Sequence, residues 1–142
     1  MENRIGEIFL KKRIINDSQL ELALHEQVQT GEFLGEILIR LGYAKETDVL
    51  KVLAEQAKTR FVNLSEVRIN PKVSQLVPSG IVLEHQIMPI DVQGEVLLVA
   101  THNPLDIWPL SQLQEQMALS EVQFVLASKD DIRNHIEKYF KR

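Results

Sequence analysis

One unit is written twice between Arg4 and Gln56, and this repeat constrains the fold more than any other feature of the 142-residue chain. Arg4-Ile5-Gly6-Glu7-Ile8-Phe9-Leu10 aligns without gaps over Phe33-Leu34-Gly35-Glu36-Ile37-Leu38-Ile39. The register holds to Leu24-His25-Glu26-Gln27 over Leu53-Ala54-Glu55-Gln56, and 35 − 6 and 56 − 27 both give 29. Gly6/Gly35, Glu7/Glu36, Ile8/Ile37, Leu24/Leu53, Glu26/Glu55 and Gln27/Gln56 are identical, while Ile5/Leu34, Leu20/Val49 and Ser18/Thr47 keep their character. Self-similarity of this length implies two like units packed together.

Each copy has the pattern of a short helix, a turn and a longer helix. In the first, Ile5, Ile8 and Phe9 share a face, Arg13-Ile14-Ile15-Asn16 breaks the period, and Leu20, Ala23, Leu24 and Val28 resume it. Asn16 is placed to cap the second helix, with Gln19 completing a capping box, and Gly31 to end it. In the second, Leu34, Ile37, Leu38 and Leu41 form one face, Gly42 is a helix stop, and Val49, Leu50, Leu53 and Ala57 follow. Neither hairpin buries its apolar face alone, so the two are expected to pack on each other.

After Lys58 the pattern changes. Phe61-Val62-Asn63-Leu64 is a short strand or an extended connector. Val73, Leu76 and Val77 give one or two helical turns between Asn70-Pro71 and Pro78. Ile87 to Val92, a Gln93-Gly94 turn and Glu95 to Ala100 form a β-hairpin, with Pro89 setting its first strand toward an edge. Asn103-Pro104-Leu105-Asp106 is a turn that places Asp106 as an N-cap, with Pro109 in the first turn of the helix carrying Leu110, Leu113 and Met117. Val122 to Leu126 is a third strand, Ser128 a cap, and Ile132, Ile136 and Tyr139 the face of a last helix. The expected class is α+β: a helical lobe of two repeated hairpins over 1–58, a connector with a short helix over 59–85, and a small α/β sandwich over 86–142 of order strand, strand, helix, strand, helix.

Composition limits function. At 44% hydrophobic, 142 residues suffice for one ordinary domain or two small lobes. The net charge of −4 and its spread over both halves argue against a DNA or RNA partner, and the Lys11-Lys12-Arg13 run has the character of a solvated helix end. No cysteine is present, so thiol catalysis and cysteine metal sites are excluded. No apolar run is long enough to insert in a membrane and no signal peptide opens the chain, so a cytoplasmic location is expected. The sequence carries no phosphate-binding loop, dinucleotide fingerprint or nucleophile elbow. His25, His85, His102 and His135 stand apart, Asp130-Asp131 suits a helix start, and Trp108 is expected to anchor an interface between lobes.

The tandem motif Arg4-Ile5-Gly6…Leu20…Leu24…Gln27, then Leu34-Gly35…Gly42…Val49…Leu53…Gln56, resembles that of the MshEN family, the N-terminal domains of type II secretion and type IV pilus assembly ATPases. Phe61-Val62-Asn63-Leu64-Ser65 and Asn103-Pro104-Leu105-Asp106 resemble that family's next landmarks. The resemblance implies one of two functions: cyclic di-GMP binding across the repeats, or docking of the ATPase onto the cytoplasmic domain of an inner-membrane platform protein, which would recruit it to that membrane. Neither requires a cofactor or makes this chain an enzyme; the motor would be a C-terminal ATPase domain. A pseudo-twofold ligand suits a repeated unit. The implied contacts are Arg4, Ile5, Gly6, Leu20, Leu24 and Gln27 from the first copy and Leu34, Gly35, Leu53 and Gln56 from the second. Arg4 would meet a phosphate or a guanine face, the glycines would admit close backbone approach, the leucines would cover bases, and the glutamines would offer amides. The leucines and glycines are equally suited to core and helix packing. Arg13, Phe33 and Asp106 are further candidates. Phe33 stands where the motif has a basic residue. Arg13 stands where it has a glycine, so Arg13 brings either backbone strain or an added cation.

Overall fold

A computed structural model describes residues 2–140, with side chains from residue 5 onward. The chain divides into two compact units, Met1–Val52 and Leu53–Arg142.

The first unit contains the helices α1 (Glu2–Lys11), α2 (Asp17–Thr30), α3 (Leu34–Arg40) and the first part of α4 (Glu46–Gln56), which runs through the boundary. The sequence repeat is a backbone repeat as well. Ile14 N–H donates to Phe9 O (3.0 Å) as Tyr43 N–H does to Leu38 O (2.9 Å), and Arg13 N–H to Leu10 O (3.0 Å) as Gly42 N–H does to Ile39 O (3.0 Å). Arg13 and Gly42 both sit in the left-handed region, at φ 59° and 78°. The turn therefore demands that conformation in both copies, and in the first an arginine adopts it at a cost of about 1–2 kcal/mol. The buried positions also repeat: Phe9 and Leu38, and Ala23 and Val52, are all buried.

The helix ends show why α2 begins and stops where it does. Asn16 Oδ1 accepts from Gln19 N–H (2.8 Å) while Gln19 Oε1 accepts from Asn16 N–H (2.9 Å), a complete capping box. Gly31, at φ 74°, ends the helix by donating to Gln27 O at 2.8 Å. Asn16→Ala removes the side-chain acceptor for Gln19 N–H and leaves only the bond from the backbone N–H of residue 16 to Gln19 Oε1. It is expected to lower stability by about 1 kcal/mol, measured as a fall in thermal midpoint, whereas Asn16→Ser, which can still cap, should stay close to the parent.

The second unit is built on a three-stranded sheet of order β1 (Met88–Gln93), β2 (Val96–Thr101), β3 (Glu121–Leu126). The β1–β2 pair is an antiparallel hairpin turning at Gly94 (φ 62°), with a bulge between Pro89 and Asp91 on the edge strand. The β2–β3 pair is parallel, which requires a crossover helix between them. Before the sheet come a 3-10 turn (Leu64–Glu66), α5 (Val73–Leu76) and α6 (Ser79–His85); α7 (Trp108–Gln116) and α8 (Lys129–Tyr139) follow β2 and β3. Leu97, Val99, Leu113, Ile132 and Ile136 form the centre of the core, and α7 and α8 pack on the sheet.

Residues 59–85 are integral to this unit. Leu64, Ile69, Val73, Val77, Ile81 and Val82 belong to its core. Val62 N–H donates to Leu126 O and Leu126 N–H to Arg60 O, both at 2.8 Å, so Phe61 bridges β3 in parallel. Asp131 Oδ2 accepts from Leu64 N–H (2.8 Å) and its Oδ1 lies 3.2 Å from His135 Nδ1, tying the 3-10 turn to α8. Ser128 caps α8 by accepting from Asp131 N–H. Two local expectations are corrected. Asp106 is not a cap: α7 starts from Ile107 with no side-chain cap, because Asn103 takes Leu105 N–H in a competing turn (3.0 Å). Trp108 is 52% exposed, and its ring lies 4.9 Å from that of His85 inside the same unit.

Candidate functional site

Helix α1 places Gly6 where it meets α2 and the start of α3. A Cβ at Gly6 would lie 2.8 Å from Leu20 Cδ1 and 3.5 Å from Leu34 Cδ2. Gly6 thus lets two leucines of the repeat close over α1, and Gly6, Leu20 and Leu34 form one contact group. Ile5 and Leu24 are half-buried on α1 and α2, and Gly35 is buried in the first turn of α3.

The spacer between the copies is held tightly. Gln27 Nε2 donates to Glu32 O at 3.1 Å, and Glu32 N–H to Thr30 Oγ1 at 3.2 Å. Because Glu32 O can only accept, the bond fixes which end of the Gln27 amide faces the spacer. Arg40, at the end of α3, reaches back to Glu32 (2.6 Å) and across to Glu26 on α2 (3.2 Å). The Glu32 and then the Glu26 carboxylate hold its guanidinium above its ordinary pKa. Phe33 follows as the extended N-cap of α3, half-buried and without a side-chain cap bond.

The structure brings Gly6, Leu20 and Leu34 together, and places Gln27 beside the residue preceding Phe33. Leu53 is buried and Gln56 exposed at the end of α4, on the other side of the unit boundary. Asp106 lies exposed in the second unit, between β2 and α7. Arg4 falls within α1, but its side chain lies outside the described residues. Arg13 stands in the turn after α1, seven residues on from Gly6. There it lines a shallow groove with Ile14, Gly42, Tyr43, Lys45 and Asp48. Arg40 had no periodicity to mark it, since its partners lie on different elements. The available signal was two acids and one base flanking a short glycine-containing spacer.

The chemistry on offer is recognition: amide, guanidinium and apolar surface. Among the described residues no three His, Asp or Glu side chains converge as for a metal ion, and no helix is long and apolar enough to cross a membrane.

Comparison with known proteins bears on the family and the fold. The sequence matches the MshEN domain over residues 57–142. It is 29% identical over 140 residues, 99% of this chain, to the type IV pilus assembly ATPase PilB of Myxococcus xanthus, of whose length it spans 25%. The fold superposes on the structure of MshE with cdg (cyclic di-GMP) with a TM-score of 0.84 at 28% identity, covering 96% of this chain and 98% of that one. It also superposes on the N-terminal domain of XpsE with a TM-score of 0.73 at 17% identity, covering 98% and 95%, a likeness of fold alone. The family match lies beyond the tandem repeat, whereas the likenesses to PilB and MshE take in nearly the whole chain. This chain belongs to the MshEN domain family.

Proposed function

We propose that this chain is a non-catalytic regulatory domain of a type IV pilus or type II secretion ATPase, and that it binds cyclic di-GMP across its tandem repeat. The observation that carries this reading is the likeness to MshE with cdg over nearly the full length of both chains. The repeated hydrogen-bond pattern of the two turns supports it, since a pseudo-twofold unit suits a pseudo-twofold dinucleotide. Gly6, Leu20, Leu24 and Gln27 with Leu34, Gly35, Leu53 and Gln56 are the proposed contacts, joined by Ile5 and by Arg4 for a phosphate or a guanine face. The motor is assigned to a C-terminal ATPase domain, so ATP hydrolysis by this chain alone should equal that of buffer.

One observation favours a second reading. Phe33 occupies the place that Arg4 holds in the first copy, which leaves a dianionic ligand one cation short. On that reading the chain is a docking module for the cytoplasmic domain of an inner-membrane platform protein, and recruitment of a cytoplasmic ATPase to the membrane is its role. Titration calorimetry with cyclic di-GMP separates the two. The nucleotide reading expects saturable heat with one ligand per chain, weakened in Gln27→Ala. Absence of heat, together with retention of the chain on an immobilised platform cytoplasmic domain, would transfer the function to docking.

A further inference from the structure

We infer that Arg40 is a positioning residue, which sets the orientation of the Gln27 amide and of the entry into α3 through the three-residue loop 31–33 between α2 and α3. The use of that orientation in ligand recognition rests on the nucleotide reading; the orientation itself does not.

The geometry is a double hold on one residue. The side chain of Glu32 is held by Arg40 at 2.6 Å, and its backbone carbonyl by Gln27 Nε2 at 3.1 Å. Arg40 also holds Glu26, the neighbour of Gln27 on α2, at 3.2 Å. Gln27 closes the first copy, and Phe33-Leu34-Gly35, directly after Glu32, opens the second. One guanidinium therefore registers the end of one copy against the start of the other. Both bonds come from the one terminal nitrogen Nη2, and the planar guanidinium holds its N–H directions fixed, whereas a lysine ammonium is a flexible point of charge.

Magnitudes separate a positioning role from a stabilising one. The Arg40 side chain is 43% exposed and those of Glu26 and Glu32 are 34% and 35% exposed. Pairs this wet add little to stability. Removal of the guanidinium should leave the thermal midpoint nearly unchanged while loosening the hold on Gln27, and a residue acting only as a structural brace would show the reverse.

The test uses the whole chain, isotopically labelled and without nucleotide, with the side-chain amide resonances of Gln27 as the first readout. In Arg40→Ala these resonances should move toward solvent-exposed values and their protons should exchange faster, with Arg40→Lys between the two. An unmoved Gln27 amide overturns the inference, whatever the nucleotide does. The second readout is affinity for cyclic di-GMP. Arg40→Ala should weaken it about threefold to tenfold, the scale of losing one well-placed polar contact. Arg40→Ala added to Gln27→Ala should then cost nothing further, because both act through the same amide. Fully additive losses would overturn the inference. A Gln27 amide that responds in a chain giving no heat with cyclic di-GMP would uphold the coupling and remove the nucleotide reading instead.

Discussion

Gly6→Val is expected to destabilise the chain by about 1–3 kcal/mol, the usual cost of forcing extra methyls into a filled contact. Gly6→Ala should be nearly neutral. The difference follows from what surrounds the glycine. A Cβ at Gly6 meets Leu20 Cδ1 at 2.8 Å, which is too close, but that atom is the free end of a side chain able to rotate away. Replacing glycine inside a helix also gains about 1 kcal/mol of helical propensity, which offsets the crowding by a single methyl. Valine adds two methyls next to Leu20 and Leu34 and brings a stiff β-branched side chain, so rotation of one leucine no longer suffices. Urea denaturation of the two variants checks this. If alanine costs as much as valine, the leucines are less adjustable than their free ends suggest. A neutral Ala variant that nonetheless loses cyclic di-GMP would instead show that the ligand itself needs the bare backbone of Gly6.

The parts of the fold that were legible in the sequence are those set by local chemistry. The offset between Gly6 and Gly35 makes α1 correspond to α3 and α2 to α4, and it sets the αL turns at Arg13 and Gly42 in corresponding places. The Asn16–Gln19 box, Gly31 as a terminator and Gly94 as a hairpin turn each require only a few neighbouring residues. Helix α6 was hidden because Pro78 is a two-sided signal. Its ring ends α5, and its φ of −58° also makes it the residue from which Ser79–His85 starts. The start of α7 was misplaced for a comparable reason: Asn103 and Asp106 both offer side-chain acceptors, and the turn at Asn103 forms while Asp106 caps nothing. The parallel pairing of β2 with β3 is a long-range choice that alternation alone does not encode. Of the candidate site, residue types and spacing were legible, but the grip of Arg40 on Glu26 and Glu32 was not, because it joins three elements through side chains.

Arg4→Ala is expected to weaken cyclic di-GMP binding by about 1.5–3 kcal/mol, the worth of a charge-assisted hydrogen bond, which corresponds to about tenfold to a hundredfold in affinity. The repeat supplies its own comparison. Position 4 in the first copy corresponds to position 33 in the second, and there the residue is Phe33, at the extended N-cap of α3 with φ −68° and ψ 144°. No side-chain bond is made by Phe33 as the cap, so Phe33→Arg sacrifices none and places a cation at the start of α3. If both copies meet phosphate, Phe33→Arg should tighten binding and steepen its decline with added salt, since exposed charges are screened beyond about 10 Å at 0.1 M ionic strength. The same substitution in an Arg4→Ala background should recover part of the lost affinity. Arg40 is a poor substitute for that missing cation, because Glu26 and Glu32 already neutralise it. Calorimetry at two salt concentrations on the parent, both single variants and the double variant gives the answer. Saturable binding in the parent that ignores Arg4→Ala, with Phe33→Arg showing neither tighter binding nor a changed salt slope, would remove the phosphates from this end of the repeat and with them the proposed placement of the ligand.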